Sequence, residues 1–188
     1  MPSGAPRSMC GCPRTTWVPS ATLLEPRSFP SLRLGRFDVT SLRAILLLQL
    51  ATTLPLVGLI WFVQVVAYPL FARVAAADFP AYHEAHSRLI TYVVAPLMLG
   101  ELLGAIAWLF WPLDGVPQAV AWVGAALAVG AWIVTVFVSI PQHNLLARGF
   151  DARAFEVLLV TNWSRTAAWT VRGAMLLWVL AVVMKTRE

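Results

Sequence analysis

Charge is scarce in this 188-residue chain: 12% of its residues are charged and 59% hydrophobic, against about 25% charged in ordinary soluble domains. Lysine is almost missing. Lys185 is the only one, so arginine carries nearly all of the positive charge behind the formal net +5. The arginines lie between apolar runs and form no long basic block, which argues against nucleic-acid binding. Only two cysteines occur, Cys10 and Cys12. No second pair completes a zinc site, and no disulfide framework exists. A Gly-rich phosphate loop, a Ser-His-Asp arrangement and a CxxC motif are all missing, so nucleotide hydrolysis and thiol–disulfide exchange lack the residues they need.

Long apolar runs take the place of these features. So much apolar surface needs a nonaqueous solvent, and a bilayer supplies one. Nine Trp and thirteen Pro agree with this, since Trp favours membrane interfaces and Pro is tolerated in membrane helices. Residues 1–36, rich in Pro, Ser, Gly and Arg, read as a disordered leader. The first apolar run begins near Ser41, too far from Met1 for an ordinary secretory signal. Residues 37–188 then read as an all-α membrane four-helix bundle with spans at about 42–71, 79–111, 118–140 and 161–184. Pro55 and Pro69 are expected to kink the first span. Asp78, followed by Phe79-Pro80, reads as the N-cap of the second. Pro141 is expected to end the third. Asp151–Leu159 reads as a separate short amphipathic segment before the fourth. No internal repeat is evident.

Helical phase sorts the polar residues of each span into one seam. The seams are Gln49, Thr53, Gln64 and Tyr68; then His83, His86, Glu101 and Trp108; then Thr135, Ser139 and His143; and Asn162, Arg165, Trp169 and Arg172. Lipid excludes such seams, so they should face one another inside the bundle.

Depth divides the seams further. His83, His86 and His143 all fall at one membrane face. Three imidazoles suit a transition metal or a haem, and they also suit plain interfacial capping of the loops. Glu101 lies about 22 Å of helix from His86 at roughly 1.5 Å per residue, so one compact site cannot hold both. It must face the interior and find a cation, a proton or a hydroxyl such as Thr52 or Thr53. A proton relay, a substrate anchor and a structural knot all remain open for it. Gly100 and Gly104 let another helix approach there. Asn144, Asn162, Arg165 and Arg172 are placed at or just beneath the histidine face, where cations can hold a lipid headgroup or an acidic substrate. Gln64 joins this substrate-binding set, and Tyr68 joins His83, His86, His143 and Glu101 as the catalytic candidates.

The sequence IPQHNLL at the end of the third span and TNWSRT at the start of the fourth resemble the anthrone-oxygenase-like family of small four-helix membrane proteins, most of them bacterial. Pro141 and Asn144 match that family's Pro-x-Asn step with His143 as one extra residue. Asn162 and Arg165 match its Asn-x-x-Arg-Thr step, although Trp163 follows the Asn where the family places its Trp before it. The resemblance implies a four-helix bundle and oxygenation of a phenolic or quinone-like substrate; the expected location is a bacterial cytoplasmic membrane.

Three functions follow from these readings. One is a membrane oxidoreductase using the three histidines, Tyr68 and Arg165 on a lipophilic small molecule. Another is a noncatalytic module binding a lipid or a partner protein. The last is a transporter, which four spans without inverted repeats make less natural unless copies associate as a homo-oligomer. Arginine counting puts both termini in the cytoplasm when the leader is included, and is even or reversed without it.

Overall fold

A computed structural model of the chain describes residues 39–185, with side chains from Arg43 onward. The leader with Cys10 and Cys12, and Arg187 at the other end, lie outside the described residues. Four helices are long and apolar enough to cross a membrane: α1 (Arg43–Phe71), α2 (Phe79–Phe110), α3 (Gln118–Leu146) and α4 (Ala152–Lys185). No strand occurs among the described residues. Each helix packs on its neighbours in the chain, and α4 closes on α1, giving an up-down-up-down four-helix bundle.

The buried polar residues lie inside the bundle among apolar core residues, and the outside is apolar. Gln49, Thr53, Glu101, Asn162 and Arg172 are fully buried, while Leu47, Tyr92, Phe110 and Phe137 are 63–73% exposed. Water would reverse that distribution; hydrocarbon requires it. All four polar seams turn inward as their phase predicts. His86, Thr135 and His143 are half-buried and the other seam residues are buried.

Two prolines sit within long helices in the same local setting, and one of them, Pro141, departs from expectation. A helical proline lacks its N–H and its ring displaces the carbonyl four residues back. Here a π-helical stretch precedes each one: Val63–Ala67 before Tyr68-Pro69, and Thr135–Ser139 before Ile140-Pro141. In each, the N–H of the following residue reaches back five positions, Tyr68 to Val63 and Ile140 to Thr135. The widened turn absorbs the proline. Pro141 therefore does not end α3, which runs on to Leu146 and carries His143 in its last turn. The two helical hairpins share this device, a local similarity that residue matching alone does not reveal.

The expected break before the fourth span is also missing. No proline interrupts residues 152–185, and a single helix covers them. Asp151 starts it by accepting the Ala154 N–H at 2.7 Å. Asp78 occupies the expected position before α2 but makes no side-chain cap bond. The turn between α2 and α3 bends through Gly115 at φ 78°, a conformation that favours glycine.

Close approach of α1 and α2 depends on the two glycines singled out above. A Cβ on Gly100 would sit 2.8 Å from Thr52 Cγ2, and one on Gly104 3.2 Å from Gln49 Cδ. Gly173 does the same for α4 against α1, where a Cβ would stand 3.0 Å from Val57 Cγ2.

Candidate functional site

The inward residues form two polar centres at different depths. The deeper one is built on Glu101. Arg172 Nε donates to Glu101 Oε1 at 2.8 Å, Thr53 Oγ1 donates to the same oxygen at 3.1 Å, and Trp169 Nε1 donates to Oε2 at 2.8 Å. The rest of the Arg172 guanidinium donates to Gln49 Oε1 at 2.5 Å and to the Gly124 carbonyl. Both charged side chains are fully buried, and theirs is the one ion pair among the described residues. The partner of Glu101 is thus Arg172, not a group at the histidine face. Arg172 was expected near that face, but seven residues beyond Arg165 carry it about 10 Å deeper at roughly 1.5 Å per residue. Of the two candidate hydroxyls, Thr53 reaches the carboxylate; Thr52 bonds its own helix at Leu48 O, 2.8 Å away.

The shallower centre is a continuous hydrogen-bonded chain. Gln64 Nε2 donates to Leu159 O at 3.2 Å, and Asn162 Nδ2 donates to Gln64 Oε1 at 2.6 Å. Asn162 Oδ1 in turn accepts from Arg165 Nε at 3.0 Å and from its Nη2. Arg165 also donates to Thr135 Oγ1 at 3.1 Å and to Tyr68 Oη at 3.4 Å. Tyr68 Oη meets His143 Nε2 at 3.3 Å, and His143 Nδ1 meets His83 Nε2 at 3.0 Å. Arg165 is buried with no carboxylate in ion-pair reach among the described residues.

Two proton arrangements satisfy the last three groups of that chain. In one, Tyr68 donates to His143, His143 donates to His83, and His83 carries its proton on Nδ1. In the other, every bond reverses, His83 Nδ1 is bare, and the Tyr68 hydroxyl is free to donate elsewhere. Arg165 donates to the phenol oxygen in both, because arginine has no acceptor. His83 Nδ1 is buried and has no partner among the described residues, so either state leaves that nitrogen as the end of the line. Switching between them moves one proton between the Tyr68 end and the His83 end.

A cavity of about 210 Å³ adjoins this chain. Tyr68, His143, Arg165, Thr135 and Ser139 provide polar groups on its wall, and Leu56, Ile60, Val94, Met98, Trp132 and Trp169 provide apolar ones. Ser139 Oγ is buried there with no partner among the described residues. Trp169 joins the two centres: it donates to Glu101, and its ring lies 5.9 Å from the Arg165 guanidinium carbon.

The expected three-imidazole metal set is not assembled. No group of three or more His, Cys, Asp or Glu side chains able to hold a metal occurs among the described residues. Both His143 ring nitrogens are engaged by protein groups, and His86 stands apart, edge-on against Phe71 at 4.9 Å between ring centroids. His86 still lines the cavity, whereas His83 supports His143 from behind. Asn144 is exposed and off the cavity, because it follows the inward His143 by one residue and so faces outward. Gln64, Asn162, Arg165, Tyr68 and His143 come together as one unit. Trp169 and the Gly124 carbonyl were not identified from sequence as partners of the ion pair. The position of Trp169, four residues after Arg165 and three before Arg172 on one helical face, is the signal for its role.

Comparison with protein-family models, curated proteins and solved structures gives no match for this chain.

Proposed function

We propose that this integral membrane protein is an oxidoreductase of the oxygenase type, which takes a lipophilic phenol or quinol into the cavity and removes its proton at the Tyr68–His143 pair. The observation that carries this reading is Arg165. A buried guanidinium without a carboxylate is costly, and Asn162 and Thr135 hold this one where it borders apolar space. A substrate oxygen that becomes anionic in the cavity supplies the missing negative charge. Low local dielectric strengthens that interaction. His143 accepts the proton on Nε2, directly or through Tyr68, and the proton displaced from its Nδ1 passes to His83 Nε2. Phenolate is the form that most readily gives an electron to an oxidant. Dioxygen, which dissolves in hydrocarbon, is the oxidant class this reading requires. The resemblance of TNWSRT and IPQHNLL to the anthrone-oxygenase-like family points to the same class of substrate.

The reading also assigns the chain to a bacterial cytoplasmic membrane with its termini inside, which puts the histidine face on the opposite side.

The test uses purified protein in lipid nanodiscs with 1-naphthol and 1,4-naphthoquinol as probes, reading equilibrium binding and dioxygen uptake. Wild type should bind and consume dioxygen. Arg165→Met should lose about 10- to 100-fold in affinity, from the roughly 1.5–3 kcal/mol that a charged hydrogen bond contributes. His143→Phe should bind but not turn over. Binding that Arg165→Met leaves untouched would overturn the assignment. Binding without turnover by any phenol or quinol would favour the noncatalytic module instead.

A further inference from the structure

Buried side chains pack beyond both ends of the cavity, and exposed ones border its side. Towards the histidine face, Phe71, Phe79, Leu146 and Leu158 pack with Tyr68 into one buried cluster. Phe79 stacks on His83 at 5.6 Å between centroids, and Phe71 meets Phe79 edge-on at 6.1 Å. At the other end Met98 and Trp169 are each 2% exposed, and the Glu101–Arg172 pair lies behind Trp169. Between α2 and α3 the situation differs. Thr91 and Ala95 on α2, and Val136 and Ile140 on α3, all line the cavity and are all exposed on the outer surface of the bundle. The α3 side of this gap is the π-helical stretch Thr135–Ser139 and the residue after it.

Depth says what that gap faces. Thr91 and Ala95 lie 12 and 16 residues into α2, roughly 18 and 24 Å along an axis rising about 1.5 Å per residue. A helix of 32 residues is about 48 Å long by the same rise, so the gap is near its middle. A hydrocarbon layer about 30 Å thick, centred on the helix, covers that depth. Solvent outside the gap is therefore acyl chain, not water.

We propose that the gap between α2 and α3 is a lateral portal, and that the cavity fills from the hydrocarbon layer with a small membrane-dissolved molecule. Such an occupant has an apolar body of one or two rings and a single oxygen function. The size follows from volume: an apolar cavity of about 150 Å³ holds benzene, and this one measures about 210 Å³. A two-chain phospholipid does not fit. The oxygen function follows from the polar wall, where Arg165, Tyr68 and Ser139 offer hydrogen bonds to a body otherwise surrounded by Leu, Ile, Val and Met. A permanently charged molecule is excluded by its route. This inference rests on the cavity of the proposed function but on none of its chemistry.

Carbene labelling in proteoliposomes tests the portal without requiring turnover. The probe is 3-trifluoromethyl-3-phenyldiazirine, a one-ring apolar molecule that partitions into the bilayer and, once photolysed, inserts into any neighbouring bond. Mass spectrometry should find label on the buried cavity residues Ile60 and Met98 as well as on the exposed outer belt. A charged, water-soluble diazirine should label neither Ile60 nor Met98. Filling the gap with Ala95→Trp, or separately with Val136→Trp, should abolish label on Ile60 and Met98 and leave the belt unchanged. Either variant suffices if the other does not fold. The proposal is overturned if the apolar probe marks only the belt, if filling the gap leaves the buried label in place, or if the charged probe reaches Met98. A portal that passes while naphthol is never oxidised would leave this inference standing and remove the chemistry; turnover with no buried label would do the reverse.

Discussion

Glu101→Gln is the substitution whose cost the geometry defines best. The carboxylate takes three donors on two oxygens: Arg172 and Thr53 on Oε1, Trp169 on Oε2. A carboxamide has one acceptor oxygen. If that oxygen faces Arg172 and Thr53, its NH₂ group faces the Trp169 N–H, and two donors confront each other in a buried space. If it turns the other way, Arg172 and Thr53 lose their acceptor. In the first case the Arg172 cation loses its counter-charge and keeps a neutral acceptor; in the second it keeps only Gln49 and the Gly124 carbonyl. Removing one member of a buried pair costs about 3–5 kcal/mol. Those two surviving acceptors place the expected loss at the lower end, about 3 kcal/mol, or roughly a hundredfold in the folding equilibrium. Unfolding in mixed dodecylmaltoside–SDS micelles, followed by circular dichroism, measures it. The double variant Glu101→Leu with Arg172→Met should recover much of the loss, because an apolar pair removes both desolvation penalties. A Glu101→Gln protein within about 0.5 kcal/mol of wild type, the range of an ordinary surface substitution, would refute the closed-pair reading and reopen Glu101 as a mobile proton carrier.

Other substitutions separate packing from function. Gly100→Ala should destabilise by about 1–3 kcal/mol through overpacking, since its Cβ would meet Thr52 Cγ2 at 2.8 Å, while Gly130→Ala, with nothing within 4 Å, should be neutral or slightly stabilising in the same micelle titration. Asn162→Ala should cost about 2–3 kcal/mol by leaving Arg165 and Gln64 without their shared partner, whereas exposed Asn144→Ala should change neither stability nor naphthol binding. Arg165→Lys keeps the charge but cannot span Asn162, Thr135 and Tyr68 together; calorimetry should show it binding 1-naphthol about tenfold more weakly than wild type, one lost hydrogen bond's worth.

Much of the architecture is legible from residue pattern. The four spans, their polar seams and the separation of Glu101 from the histidines all follow from the 3.6-residue period and the rise per residue. The limits of that arithmetic show at particular residues. Pro141 looks like a stop because the rule for proline is written for an α-helix, and only a π turn formed in context lets α3 continue and carry His143 inward. Arg172 shares a helical face with Arg165 yet lies seven residues deeper, because face and depth are separate consequences of position along a helix. The three histidines share one membrane face, yet sharing a face does not aim imidazole nitrogens at a common point. His143 spends both nitrogens on Tyr68 and His83, while His86 packs against Phe71.

Composition and period determined the solvent, the number of spans and which side of each helix avoids lipid, because these depend on one helix at a time and on transfer from water to hydrocarbon. Pairing was decided only in the assembled bundle. That Glu101 holds Arg172, that Arg165 meets no carboxylate among the described residues, and that a gap remains between α2 and α3 all depend on the rotation and depth of one helix against another. Contacts between residues 71 or 97 positions apart in the chain, as in Glu101–Arg172 and Tyr68–Arg165, leave no periodic trace in either partner's own segment, and so become visible only when the helices meet.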